Sequence, residues 1–150
     1  MEFGFSPEMM NWFAQLVAVL VYVGLGAIWF GSLFGDAWAR EMDLEGLDEE
    51  AKKRQMPRGI LLTVVGGFLL AFALRFVTAA FTPAYWYPDG EQLSGVGAWM
   101  GGFWAWLGYF VPVQLGRVGW ENRSWRLFGI NTSFDFLALS AMALILGLWV

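Results

Sequence analysis

The sequence predicts an all-α membrane protein, a four-helix transmembrane bundle in one domain of 150 residues. Three observations predict it. Hydrophobic residues make up 58% of the chain and charged residues only 15%, well outside the soluble norm. The apolar residues gather into four stretches, each of the ~20 residues needed to cross a bilayer core. The basic residues alternate between loops as a multi-pass topology requires.

The first span is expected over about 10–34. Its strongly polar side chain is Gln15, and Gly24, Ala27, Gly31 and Gly35 follow at helical spacing. Small residues in such a stripe let another helix approach closely. The loop 35–58 is the longest polar stretch. Seven of the thirteen acids lie between Asp36 and Glu50. Asp48, Glu49 and Glu50 stand four residues before Lys52, Lys53 and Arg54, the favourable order for helical ion pairs. Asp48 is expected to cap a short charged helix that stops at Pro57.

The second span is expected over about 59–81. Gly59, Thr63, Gly67, Ala71, Arg75 and Ala79 recur every four residues, so the middle members share a face. The row predicts a packing seam with Arg75 turned towards the bundle or reaching to the outer interface. The loop that follows carries Tyr85, Trp86 and Tyr87, an expected interfacial belt, and a Pro-Asp-Gly turn.

The third span is expected over about 95–115. Gly97, Gly101, Ala105 and Gly108 form another small stripe, and Pro112 should loosen its last turn. The fourth span is expected over about 127–149, with Asn131 and Asp135 four apart on one face.

Eight of the nine basic residues fall in the first and third loops, and the ninth is Arg75. The positive-inside rule then puts those loops in the cytoplasm and both termini outside, as for a bacterial inner-membrane protein. No basic residue precedes the first apolar run, so a cleavable signal peptide is not expected. The pI near 4.7 reflects loop acids and points to no nucleic-acid partner.

The chain has no Cys and no His. Disulfides, thiolate metal sites, imidazole-ligated haem and the familiar Ser/His and Cys/His catalytic sets are excluded. No cofactor, metal site or enzyme activity is expected.

The spans also echo one another. Phe68, Leu69 and Ala73 match Phe136, Leu137 and Ala141, with Arg58 opposite Arg126. Trp29-Phe-Gly31 matches Trp106-Leu-Gly108. The pattern is that of two tandem hairpins related by an axis along the membrane normal.

Intramembrane ionisable groups mark a functional site or a structural tie between helices. Asp135 lies about 12 Å along its span from Leu127, and Arg75 about 24 Å from Gly59. Trp29 and Tyr109 reach the depth of Asp135 and can donate to it. Gln15 reaches the depth of Arg75, so Arg75 has Gln15 and Asp135 as alternative partners. Asp135, Asn131, Arg75, Tyr109, Trp29 and Gln15 are the candidate intramembrane polar site.

Three segments, GAIWFGSLFGDAWAR (26–40), GGFWAWLGYFVP (101–112) and RLFGINTSFDFLALSAMALILGLW (126–149), resemble the bacterial membrane family known as domain of unknown function 1761. The resemblance implies four membrane helices and carries no activity or catalytic residues. The expected function is an accessory or assembly subunit that packs against a larger membrane complex. The alternative is an oligomeric small-solute or proton-coupled transporter or channel that uses Asp135 and Arg75. The expected partners are the lipid bilayer and a membrane protein or further copies of the chain.

Overall fold

The computed structural model describes residues 11–81 and 95–149. The Tyr85–Tyr87 belt and the Pro-Asp-Gly turn lie outside them. Among the described residues every regular element is helical.

The first helix, α1, spans Trp12–Ala27. The Asn11 side chain accepts from the Ala14 N–H at 3.1 Å, satisfying a donor that the first turn leaves free. The helix then widens into a π-helical stretch, Ile28–Leu33. A short helix, α2, follows at Gly35–Glu41, with Asp36 in its first turn and Arg40 in its last. Both charges suit the helix dipole.

The next helix, α3, is Glu49–Ala80, 32 residues long. Asp48 caps it, accepting from the Ala51 N–H at 2.6 Å. Arg54 pairs with Glu50 at the expected four-residue spacing, whereas Lys52 pairs with Glu49, three residues before it. The expected stop at Pro57 does not occur: the charged helix and the second span are one helix. A proline costs a helix one hydrogen bond and a clash with the preceding turn. Here that turn is exposed, so water can take up the orphaned carbonyl, and the caps on one side and the apolar run on the other carry the helix through.

The second half repeats the sequence of elements. Helix α4 (Gly95–Ala105) runs into a π-helical stretch, Trp106–Phe110, and on into α5 (Val111–Trp120). Pro112 stands at the start of α5. It has no N–H for the Gly108 carbonyl, and the widened turn immediately before it absorbs the misfit. The helical backbone therefore continues five residues beyond the expected end at 115. Ser124 caps the last helix, α6 (Trp125–Leu148), by accepting from the Leu127 N–H at 3.0 Å.

Helix α6 is the centre of the fold and packs against all the other helices. The core is built from Ala14, Ala18, Val19, Ala71, Leu74, Ala105, Leu139, Met142, Ala143 and Leu146. Its small residues bring backbones close together. At Gly102 a Cβ would sit 2.9 Å from the Leu139 carbonyl oxygen and 2.8 Å from the Ala143 Cβ. At Gly147 it would run into the Ala98 Cβ. These contacts are the α4–α6 seam. Gly101 and Ala105 of the expected stripe are also buried, Gly101 against Thr78 of α3, whereas Gly108 is exposed. The first-span stripe differs more: Gly24, Ala27 and Gly31 are all exposed.

Among the described residues three helical stretches are long and apolar enough to cross a membrane, Trp12–Leu33, Glu49–Ala80 and Trp125–Leu148. Large apolar side chains such as Leu20, Ile60, Leu61 and Leu69 cover their outer surfaces. Such a surface suits lipid and not water.

Trp29 and Trp106, 77 residues apart, both lie in a π-helical stretch. Ala71, Leu74, Arg75 and Thr78 are buried, and each stands 68 residues before a buried residue of α6.

Candidate functional site

The middle of α6 carries the polar residues Asn131, Thr132 and Asp135. Helix geometry places Thr132 and Asp135, three apart, on neighbouring parts of one surface. That surface meets α5, where Gln114 Nε2 donates to Asp135 Oδ2 at 3.3 Å. Arg117, one turn further along α5, lies within electrostatic range of the same carboxylate. Tyr22 of α1 does so from the other side.

The π-helical stretch helps to set this meeting. One extra residue in a turn rotates everything beyond it by about 100°. Trp106–Phe110 precedes both Gln114 and Arg117 and thus sets which way they face. It also anchors itself: Trp106 Nε1 donates to the Thr132 carbonyl at 2.8 Å. On the other flank Trp29, in the equivalent stretch of the first half, donates to the Ile130 carbonyl at 3.1 Å. Two indoles thus grip the α6 backbone two residues apart, just before Asp135.

Aromatic rings fill the space on both sides. Phe134 is buried against Tyr22, Trp29 and Phe30, with centroids 5.7, 6.4 and 4.8 Å away. Phe136 packs edge-on to Trp99 and Trp106. Asp135 sits between these two clusters in the sequence of α6.

The predicted site residues do not form one cluster. Trp29 bonds the α6 backbone at the Ile130 carbonyl and not the Asp135 carboxylate. Tyr109 is 68% exposed: it stands inside the widened turn and is directed away from the core. Asn131 is half-buried beside Thr132. Gln15 is fully buried, and its Nε2 donates to the Phe68 carbonyl at 3.1 Å. Arg75 is buried, at 9% exposure, and does not reach out to the surface. No ion pair joins it to Asp135 among the described residues. Their positions along the helices, about 12 Å apart in depth, account for that.

Gln114 and Arg117 are the residues that sequence reasoning missed. Their signal was present: two polar side chains three apart at the end of an apolar span. The π-helical turn that makes them face α6 has no sequence signal of comparable clarity, although Pro112 marks its end.

A family model described as a protein of unknown function, DUF1761, matches residues 13–147. No curated protein and no solved structure matches the chain.

Proposed function

Since the chain belongs to the DUF1761 family, whose description names no activity, we propose its function from its geometry: a non-enzymatic subunit of the bacterial cytoplasmic membrane that packs against another membrane-embedded chain. In this reading 95–120, helical without a break, is a fourth crossing. The bundle then consists of two tandem hairpins. The segments that hold Arg40, Lys52, Lys53, Arg54, Arg58, Arg117, Arg123 and Arg126 are cytoplasmic, and both termini lie outside.

One observation carries the proposal. The four-residue row on α3 is used in one half of the membrane and left open in the other. Gly67, Ala71 and Arg75 are buried, while Gly59 and Thr63 are exposed. Nothing lies within 4 Å of a Cβ placed on Gly59. A small-residue seam that already holds helices together is thus continued by an uncovered stretch of the same seam, which suits a further helix.

The test is the composition of the native particle, extracted in mild detergent from its own membrane. A large particle with other subunits in fixed ratio supports the proposal, and a particle of this chain alone sinks it. Substituting Gly59→Leu and Thr63→Leu should release the partner without lowering the melting temperature of the isolated chain.

The Gln114–Asp135 contact favours a second reading, an oligomeric small-solute or proton-coupled transporter. Asp135→Asn separates the two. Loss of a pH-dependent flux in vesicles favours transport, and assembly without any flux favours the subunit.

A further inference from the structure

The threonines of the described helices are not alike. Thr63 donates to the Gly59 carbonyl at 2.9 Å, and Thr78 to the Arg75 carbonyl at 2.9 Å. Both satisfy themselves on their own helix, the usual course for a threonine in an apolar helix. Thr132 does not. Its residue is 7% exposed, and its Oγ1 is buried with no hydrogen-bond partner among the described residues. Leaving such a hydroxyl unsatisfied costs about 1–3 kcal/mol. A buried hydroxyl that forgoes the carbonyl of its own helix suits a partner that arrives from elsewhere.

The surroundings define what that partner is. Asp135 lies three residues on, over the same surface of α6. Its Oδ2 is engaged by Gln114, and no described hydrogen bond engages its Oδ1. Gln114 gives its amide N–H to that bond, which leaves the amide oxygen as another acceptor. Asp135 Oδ1, Thr132 Oγ1 and Gln114 Oε1 are hard oxygen donors of the kind that hold small cations. The surface carries one carboxylate in a largely apolar setting, and a partly desolvated anion of this kind draws a counter-charge.

We propose that the surface between α6 and α5, marked by Asp135 and Thr132, is a binding site for one small monovalent cation. The proposal goes beyond the subunit reading and stands whether or not the chain has a partner. The cation completes the Thr132 hydroxyl and the carboxylate together, with water filling the rest of its shell. Arg117 is the nearby cationic group, one turn along α5, and it opposes binding. Tyr22, the titratable group facing Asp135 from α1, is neutral in its ordinary form and carries no opposing charge.

The sign of the Arg117 effect makes the idea sharp. The full chain, purified in mild detergent, is melted while the fluorescence of its ten tryptophans is followed. Sodium, potassium, ammonium and choline chlorides are compared at equal ionic strength. A bound cation raises the melting temperature with the logarithm of its concentration above saturation. The expected result is a rise with one or more of the small cations over choline, and the ranking identifies which. Asp135→Asn should abolish the difference. Thr132→Val keeps the volume and removes the hydroxyl, so it should raise the half-saturating concentration about tenfold while leaving the choline melt intact. Arg117→Gln should lower the half-saturating concentration. Equal melting in all four salts overturns the proposal, as does a cation effect that survives both Asp135→Asn and Thr132→Val. A weaker effect in Arg117→Gln also overturns it, because removing a repelling charge tightens a cation site.

Discussion

The two long helices α3 and α6 occupy equivalent places in the two halves, yet their basic ends have opposite surroundings. From Lys52 to Gly66 every residue of α3 is exposed. Over the corresponding part of α6, Leu127, Ile130, Thr132 and Phe134 are buried. The cause lies in the connections. Residues 121–124 alone join α5 to α6, which holds that hairpin closed. In the first hairpin α2 and residues 42–48 intervene. Helix α2 leans on the start of α6, where Ser124 donates to Glu41. The first connection therefore covers α6, and α3 stands clear. Coverage in this bundle follows loop length as much as helix sequence. The polar residues follow coverage: Asn131, Thr132 and Asp135 lie on the covered helix, while Thr63 on the open one satisfies itself. Hydrocarbon offers no partner to a polar group, so only a covered helix can hold several of them.

The comparison breaks most severely at glycines. Gly102→Val forces a side chain against the Leu139 carbonyl of α6, a backbone atom that cannot step aside. The expected loss is about 3 kcal/mol, the upper end for overpacking, read as a lower melting temperature in detergent. Gly66→Val on the open helix meets nothing within 4 Å and should change the melt by no more than about 0.5 kcal/mol. Equal effects would mean that α3 is covered after all.

A smaller effect tests the symmetry between the halves. Trp29→Phe and Trp106→Phe each remove one indole N–H from an α6 carbonyl and keep most of the ring. Each should cost about 1 kcal/mol, and the two losses should be similar. A much larger loss at Trp106 would show that the indole also holds the α5 helix in the rotation that delivers Gln114 to Asp135.

Much of the fold was legible because its signals are local and strong. The apolar runs of the first, second and fourth spans, Asp48 as a cap and the Glu50–Arg54 pair survive in the structure. Two boundaries were not legible. Pro57 is a stop signal by local rules, but the apolar run after it is long enough to override one proline. Pro112 signals a loosened turn, yet the widening lies before it, at Trp106–Phe110, where the sequence is an ordinary apolar run. The site was legible only in part for the same reason. Asp135 announces itself as a lone intramembrane acid. Its partner is decided by how far α5 is rotated, and that depends on a turn that composition does not mark. Trp29 and Tyr109 were chosen by depth along their spans, and depth alone does not say which way a side chain faces.

The smallest expected effect concerns the open end of α3 itself. Lys52 and Glu49 approach to 3.0 Å, with 44% and 79% of their side chains exposed. An exposed pair of this kind is worth well under about 1 kcal/mol, so Lys52→Ala should leave the melting temperature of the isolated chain almost unchanged. Asp48→Ala should do more, about 1 kcal/mol of local stability, because it removes the acceptor for the Ala51 N–H. Hydrogen exchange at residues 50–56 separates the two. Faster exchange in Asp48→Ala but not in Lys52→Ala means that the cap, and not the ion pair, keeps the helix running out to Glu49. If both variants leave exchange unchanged, the apolar span alone carries the helix back through Pro57, and the charged turn is free to serve another chain.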